Sequence, residues 1–256
     1  MRPALRFTAL CSASLLAALG TLSACAPLQT TPAPLGSLTV GRAQLVLPPG
    51  EWVDLGASDQ ALTLLPEVGA TLPLQTRTVG LRRPGTGTNN PWLVVLQVQT
   101  NSTNYPRAET RWTDTCPQQR DVLVEDATAA ETSKGTLTSH VRIDCLRFKR
   151  WASQDGWMAA NQPVLAQWLS NHNAAPSLPY SHLHYRYATQ GGAYVDVQAV
   201  IDQRLLRPAT RSNQEFLAAG HPGQAWIHQL ALAARQSTAQ LDGKLPVPAF
   251  PIALSR

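Results

Sequence analysis

Three small sets of side chains in this sequence have types and spacing that point to chemistry. The first is His182-x-His184, with Arg186 two residues further on. On a strand, residues two apart project from one face, so both imidazoles would point the same way. Such spacing occurs in metal sites, which need at least a third ligand. Asp196, His172, His221 and His228 are the candidates for it. The alternative is the polar outer face of a sheet, with no metal, on which His182, His184 and Arg186 alternate with Leu183, Tyr185 and Tyr187. The strand itself supplies only two ligands, so the expectation is the polar face, available for binding. The second set is Cys116 and Cys145. Neither a CxxC pattern nor a nearby histidine cluster marks them as a metal or catalytic pair. The third is the thiol of Cys25, which closes an apolar N-terminal run.

That run begins with Met1, Arg2 and Arg6 and is apolar from Phe7 to Gly20. A cationic start, a short apolar segment and small residues before a cut site describe a secretory signal peptide. The apolar part is about 14 residues, short of the roughly 20 that span a bilayer. Leu22-Ser23-Ala24-Cys25 resembles the lipobox of bacterial lipoproteins, and the chain as a whole is similar to proteobacterial envelope lipoproteins. Cys11 lacks the small residues just before it. The resemblance implies that residues 1–24 are removed and that Cys25 is acylated, with palmitate-type chains, and becomes the first residue. Each buried methylene of such chains adds about 0.8 kcal/mol, so more than one chain anchors firmly. Ala26 stands where an aspartate would retain a lipoprotein at the inner membrane. The resemblance therefore implies the outer membrane of a Gram-negative cell, with the chain exposed to the periplasm. Residues 25–37, with three prolines, read as a lipidated cysteine and linker, and 38–256 as a single globular periplasmic domain. In such an oxidising compartment Cys116 and Cys145 are expected to form a disulfide. It would close a loop of about 30 residues, for which chain entropy gives about 3.5 kcal/mol.

Composition narrows the function further. The net charge of +5 falls to +3 without Arg2 and Arg6, which is too little to argue for nucleic acid as a partner. Arg147, Lys149 and Arg150 form the strongest basic cluster. It reads as a solvated strand face, the alternative being contact with anionic lipid or an envelope polymer. The sequence has no nucleophile elbow, zincin helix, P-loop, dinucleotide fingerprint or EF-hand loop, so it points to no catalytic residue and no cofactor. Trp52, Trp112, Trp151 and Trp157 lie in or near loops. They either pack at element ends or line a glycan- or peptide-binding face.

The elements that would position these groups are mainly strands. Ala43, Leu45 and Leu47 alternate with polar neighbours, and Val53 and Leu55 share a face after the Pro48-Pro49-Gly50 turn. Trp92 to Val98 is apolar on both faces and reads as a central strand. In the segment Thr136 to Arg150, Val141, Ile143 and Cys145 share a face; Leu146 and Phe148 then shift the phase, which predicts a bulge. Residues 181–201 carry the best hairpin pattern, with Leu183, Tyr185 and Tyr187 facing Val195, Val197, Ala199 and Ile201 across Gly191-Gly192. Helices are expected near 161–172, capped by Asn161 with Pro163 in its first turn, and near 224–241, with a short one at 213–219. Gly220 to Gly223 reads as a break, and the proline-rich tail from Leu245 to Ile252 as extended over the surface. The fold class is α+β: a mainly antiparallel sheet with the 161–172 and 224–241 helices packed against it. This order of elements resembles the Mog1/PsbP-type sandwich. The expected function is a non-enzymatic binding or assembly module for an envelope protein or glycan. The alternative is a periplasmic hydrolase or metal-dependent enzyme using the His182/His184 face.

Overall fold

The computed structural model describes residues 36–63, 71–84, 92–102, 116–128, 140–207, 214 and 222–252. They all belong to the unit Pro34–Arg256. The signal segment, Cys25, nearly all of the linker, residues 85–91, Trp112, residues 129–139, His221 and all of the expected 213–219 helix except Gln214 lie outside the described residues.

The described part is β-rich and mostly antiparallel. A seven-stranded sheet runs in the order β3 (Glu51–Thr63), β4 (Thr71–Arg82), β5 (Trp92–Asn101), β9 (Tyr194–Asp202), β8 (Tyr180–Thr189), β7 (Val141–Lys149) and β6 (Leu123–Asp126). Each of its pairings is antiparallel. A smaller sheet holds β1 (Ser37–Val40), β2 (Ala43–Val46) and β10 (Lys244–Pro246), the last pairing parallel to β2. Four helices are described: α1 (Trp157–Asn161), α2 (Pro163–Asn171), α3 (Gln203–Leu206) and α4 (Pro222–Ala239). None is long and apolar enough to cross a membrane.

Strand β5 is central, as its two apolar faces require: Leu93 to Leu96 and Val98 are all buried. The expected hairpin is β8–β9, in register from Tyr180 opposite Asp202 to Ala188 opposite Tyr194. Its Leu183, Tyr185 and Tyr187 join Val195, Val197, Ala199 and Ile201 in the main hydrophobic cluster. That cluster also contains Trp226, Ile227, Leu230, Ala231 and Ala234 of α4. Large apolar side chains buried in this way contribute about 1.5–3 kcal/mol each.

Four local expectations are corrected. Alternation in β7 is unbroken from Ile143 onward, and the register shift lies earlier, between Val141 and Ile143. Asp144 therefore shares a face with Leu146, and it is accommodated there by the Tyr185 hydroxyl (2.9 Å) and Arg235 (3.1 Å). Asn161 does not cap α2. It ends α1, where its Nδ2 donates to the Trp157 carbonyl at 2.9 Å, and Gln162 is the cap ahead of Pro163. Pro222 is the first residue of α4 and not part of a break, since proline suits a position whose N–H has no intrahelical acceptor. The tail is not superficial. Leu245 and Val247 are buried, because β10 pairs with the free edge of β2 and the Trp226 indole donates to the Pro248 carbonyl at 2.9 Å.

The end of α2 follows from its sequence. Asn173 takes a positive φ of 47°, which asparagine tolerates. Its N–H bonds Ser170 O at 3.2 Å, and Ala174 N–H bonds Leu169 O at 2.9 Å. This double closure, with Ala174 and Leu169 in one apolar cluster, is the Schellman arrangement. It stops α2 over the sheet face that carries the histidines.

Candidate functional site

Antiparallel pairing sets residues from neighbouring strands side by side on one face. On the face opposite α4, one row reads Gly56, Thr78, Gln97, Gln198, His184 and Arg147 across six strands. The next reads Ser58, Thr76, Gln99, Asp196, Arg186 and Cys145. A third, Val53, Gly80, Val95, Val200, His182 and Lys149, borders them. The middle of the sheet face is thus polar over several strands. Apolar clusters bound it at both ends. One holds Trp92, Val95, Met158, Leu165, Leu169 and Val200; the other holds Leu72, Leu74, Ile143, Cys145 and Tyr194.

Over the β3–β4–β5–β9 part of this face lies a cleft of about 370 Å³. Its polar lining comes from Thr76, Thr78, Gln97, Gln99, Asp196 and Gln198. Val164, Leu165, Trp168 and His172 of α2 line it as well, as do Leu55 to Ser58 of β3. The amides are held in place: Gln99 Nε2 donates to Thr76 Oγ1 at 2.8 Å and to Gln60 Oε1 at 3.0 Å, and Gln97 Nε2 to Thr78 Oγ1 at 3.2 Å. Trp168 stacks on His172, with centroids 4.2 Å apart and 15° between planes, and His172 Nδ1 lies 2.9 Å from the Trp168 carbonyl. At the rim, β3 breaks register between Asp54 and Gly56. Gly56 adopts φ 126°, a value that side-chain-bearing residues rarely take, and its N–H bonds Asp54 Oδ1 at 3.1 Å.

The histidines are not on a solvated face. His182 is 2% exposed and His184 9% exposed. The reason is that this second face of the sheet is covered too: the Trp157 ring of α1 lies 5.7 Å from that of His182. Burial, reinforced by the charge of His184, lowers the pKa of His182 to about 3, against smaller opposing effects of Gln198 and Asp196. Gln198 approaches the ring, though neither His182 Nε2 nor Gln198 Oε1 has a partner at hydrogen-bond geometry among the described residues. His184 Nε2 is 2.9 Å from Asp196 Oδ2, and Arg186 Nε is 3.2 Å from the same oxygen. The Tyr194 hydroxyl adds a contact at 3.4 Å. Burial would raise the Asp196 pKa, but the charge and hydrogen bond of His184, the charge of Arg186 and the approach of the Gln198 amide together outweigh it and hold the carboxyl below its usual range.

Of the residues considered as a third metal ligand, Asp196 meets His184, whereas His172 sits at the end of α2 and His228 pairs with Glu125 at 2.9 Å. Among the described residues no three His, Cys, Asp or Glu side chains group as a metal site. A histidine base needs a nucleophile within hydrogen-bond reach. The side-chain partner of His184 among the described residues is Asp196, not a hydroxyl or thiol. Cys116 and Cys145 form a disulfide, with Cα atoms 5.7 Å apart. The basic cluster is partly engaged with aromatic rings: Lys149 lies over Trp157, and Arg150, together with Arg207, over Trp151. Trp52 is a core residue.

Sequence reasoning missed the cleft. Its signal is present as i, i+2 pairs of polar residues repeated on neighbouring strands: Thr76 and Thr78, Gln97 and Gln99, Asp196 and Gln198. Compared with known proteins, the chain matches no family model, no curated protein and no solved structure.

Proposed function

We propose that this chain is a lipid-anchored cell-envelope protein that works as a binding module through the cleft on its sheet face. The carrying observation is the cleft itself: a preformed hollow floored by amides and hydroxyls, at the lower end of the about 300–1,000 Å³ usual for ligand pockets. Cys25, read from the lipobox, holds the module at the outer membrane, and the proline-rich linker sets it off from the lipid. The α+β reading belongs to this proposal. Helix α2 shares an apolar cluster with Val95 and Val200, and α4 shares another with Leu183 and Val197, so both serve as cover for the sheet. The Cys116–Cys145 link suits an oxidising compartment.

One observation favours the alternative, a hydrolase: the His184–Asp196 pair reaches the cleft through Asp196. Against it, the carboxylate is already engaged by His184 and Arg186, and among the described residues no nucleophile is bonded to the imidazole. The arrangement supports binding over turnover.

Fractionation of a Gram-negative host tests the address. Wild-type protein is expected in the outer membrane and Cys25→Ser as an uncut, unacylated precursor. A Cys25→Ser chain that is still cut after residue 24 and still membrane-bound overturns the anchor.

A further inference from the structure

We propose that the cleft takes an uncharged, hydroxyl-rich ligand: a segment of neutral oligosaccharide lying across β4, β5 and β9 beneath α2. The assignment rests on the binding-module reading and adds the ligand class. Four features carry it.

The first is the chemistry of the floor. Gln97, Gln99, Gln198, Thr76 and Thr78 all belong to the two groups, amide and hydroxyl, that can both donate and accept. A sugar hydroxyl also does both, so a row of such side chains matches a row of hydroxyls without fixing a charge. The second is preorganisation. Gln97 spends one amide proton within the protein, on Thr78, and Gln99 spends both, on Thr76 and Gln60, so their head groups are oriented before any ligand arrives and the Gln99 carbonyl is left to accept from it. The third is neutrality. The charged side chain among the floor residues is Asp196, and His184 at 2.9 Å and Arg186 at 3.2 Å compensate it from outside the cleft. Among the described residues that line the cleft, no other carboxylate and no lysine or arginine offers a charged ligand a partner. The fourth is the wall. Trp168, braced on the His172 ring, and Val164, 82% exposed, set an apolar edge beside the polar floor. A sugar ring offers the same combination of C–H face and hydroxyl rim.

A peptide is the competing class, and the position of the cleft argues against it. Peptides dock on sheets by adding a strand at an edge, through main-chain hydrogen bonds. Of the four strands at the cleft, β4, β5 and β9 are paired on both sides, so their main-chain groups are already spent, and only β3, which ends the sheet, has an edge without a strand partner among the described residues.

The test uses the full acylated chain in a sugar-free zwitterionic detergent, titrated by calorimetry. Two neutral probes separate the sources: a tetramer of N-acetylglucosamine for acetamido-bearing envelope polymers, and maltotetraose for plain hexose chains. A galacturonate tetramer and an uncharged tetrapeptide are the contrasting probes. Saturable 1:1 binding of either neutral tetramer is expected, and the arm that binds identifies the source. Gln99→Leu is expected to weaken it about tenfold or more, whereas Gln44→Leu on β2 leaves it unchanged. Gln97→Leu repeats the test should Gln99→Leu fail to fold, as judged by its melting curve. Binding of the tetrapeptide or the galacturonate tetramer in preference to both neutral sugars overturns the ligand class, as does an undiminished affinity in both folded glutamine variants. Mass analysis of the bound tetramer separates the two levels of the argument. Cleavage overturns the binding-module reading while the ligand class stands; failure of both neutral tetramers to bind overturns the ligand class and leaves the module reading standing.

Discussion

His182 gives the fold a built-in sensitivity to acid. Its ring is buried against Trp157, and its pKa in the folded chain is about 3, against about 6.5 for an exposed imidazole. Unfolding releases the ring into water, where it takes up a proton at a pH at which the folded chain does not. The unfolded state therefore binds more protons between pH 6.5 and 3, and stability must fall as the pH falls through that window. At about 1.4 kcal/mol per pH unit, the loss attributable to His182 is about 2 kcal/mol between pH 7 and pH 5, and it approaches about 5 kcal/mol below pH 3. The perturbation is His182→Asn, which keeps a polar side chain and removes the titration. The variant loses packing at every pH, so the informative quantity is the difference in pH dependence. Urea unfolding followed by tryptophan fluorescence at pH 7 and pH 5 supplies it. Wild type is expected to lose about 2 kcal/mol more than His182→Asn over that interval. Equal losses in the two proteins would refute the burial argument.

Further outcomes follow from other contacts. The Cys116–Cys145 link spans a sequence separation of 29, so the Cys116→Ser/Cys145→Ser double variant is expected to lose up to about 3.5 kcal/mol in urea unfolding. An unchanged midpoint in that double variant counts against a constraining link. Gly80 lies beneath the Trp92 ring, where an added Cβ would sit 2.4 Å from a ring carbon. Gly80→Ala is therefore expected to cost about 1–3 kcal/mol, read as a lower melting temperature, and an unshifted melting curve contradicts that packing.

What the sequence made legible was local. The two apolar faces of Trp92 to Val98 place β5 at the centre, and the alternation of Leu183, Tyr185 and Tyr187 identifies the buried face of β8. Neither depends on knowing which strand lies next. The histidines were misjudged because alternation says only that His182 and His184 oppose Leu183. It does not say that α1 brings Trp157 over the second face as well. The tail was misjudged for a similar reason. Its three prolines look like punctuation until β2 offers an unpaired edge on which Leu245 and Val247 can be buried. The cleft needed most of all what periodicity cannot supply. Gln97 and Gln198 are 101 residues apart in sequence and become neighbours only through the β5–β9 register. Read strand by strand, each polar pair looks like an ordinary solvated face.

The claim on which the account rests is that this folded unit works from a membrane, tethered by Cys25. Mass spectrometry of the N-terminal peptide, taken from protein extracted from host membranes, measures that directly. The expected peptide begins at Cys25 and carries a diacylglycerol on its sulfur. A peptide beginning at Met1, or one beginning beyond Cys25 without lipid, contradicts the account.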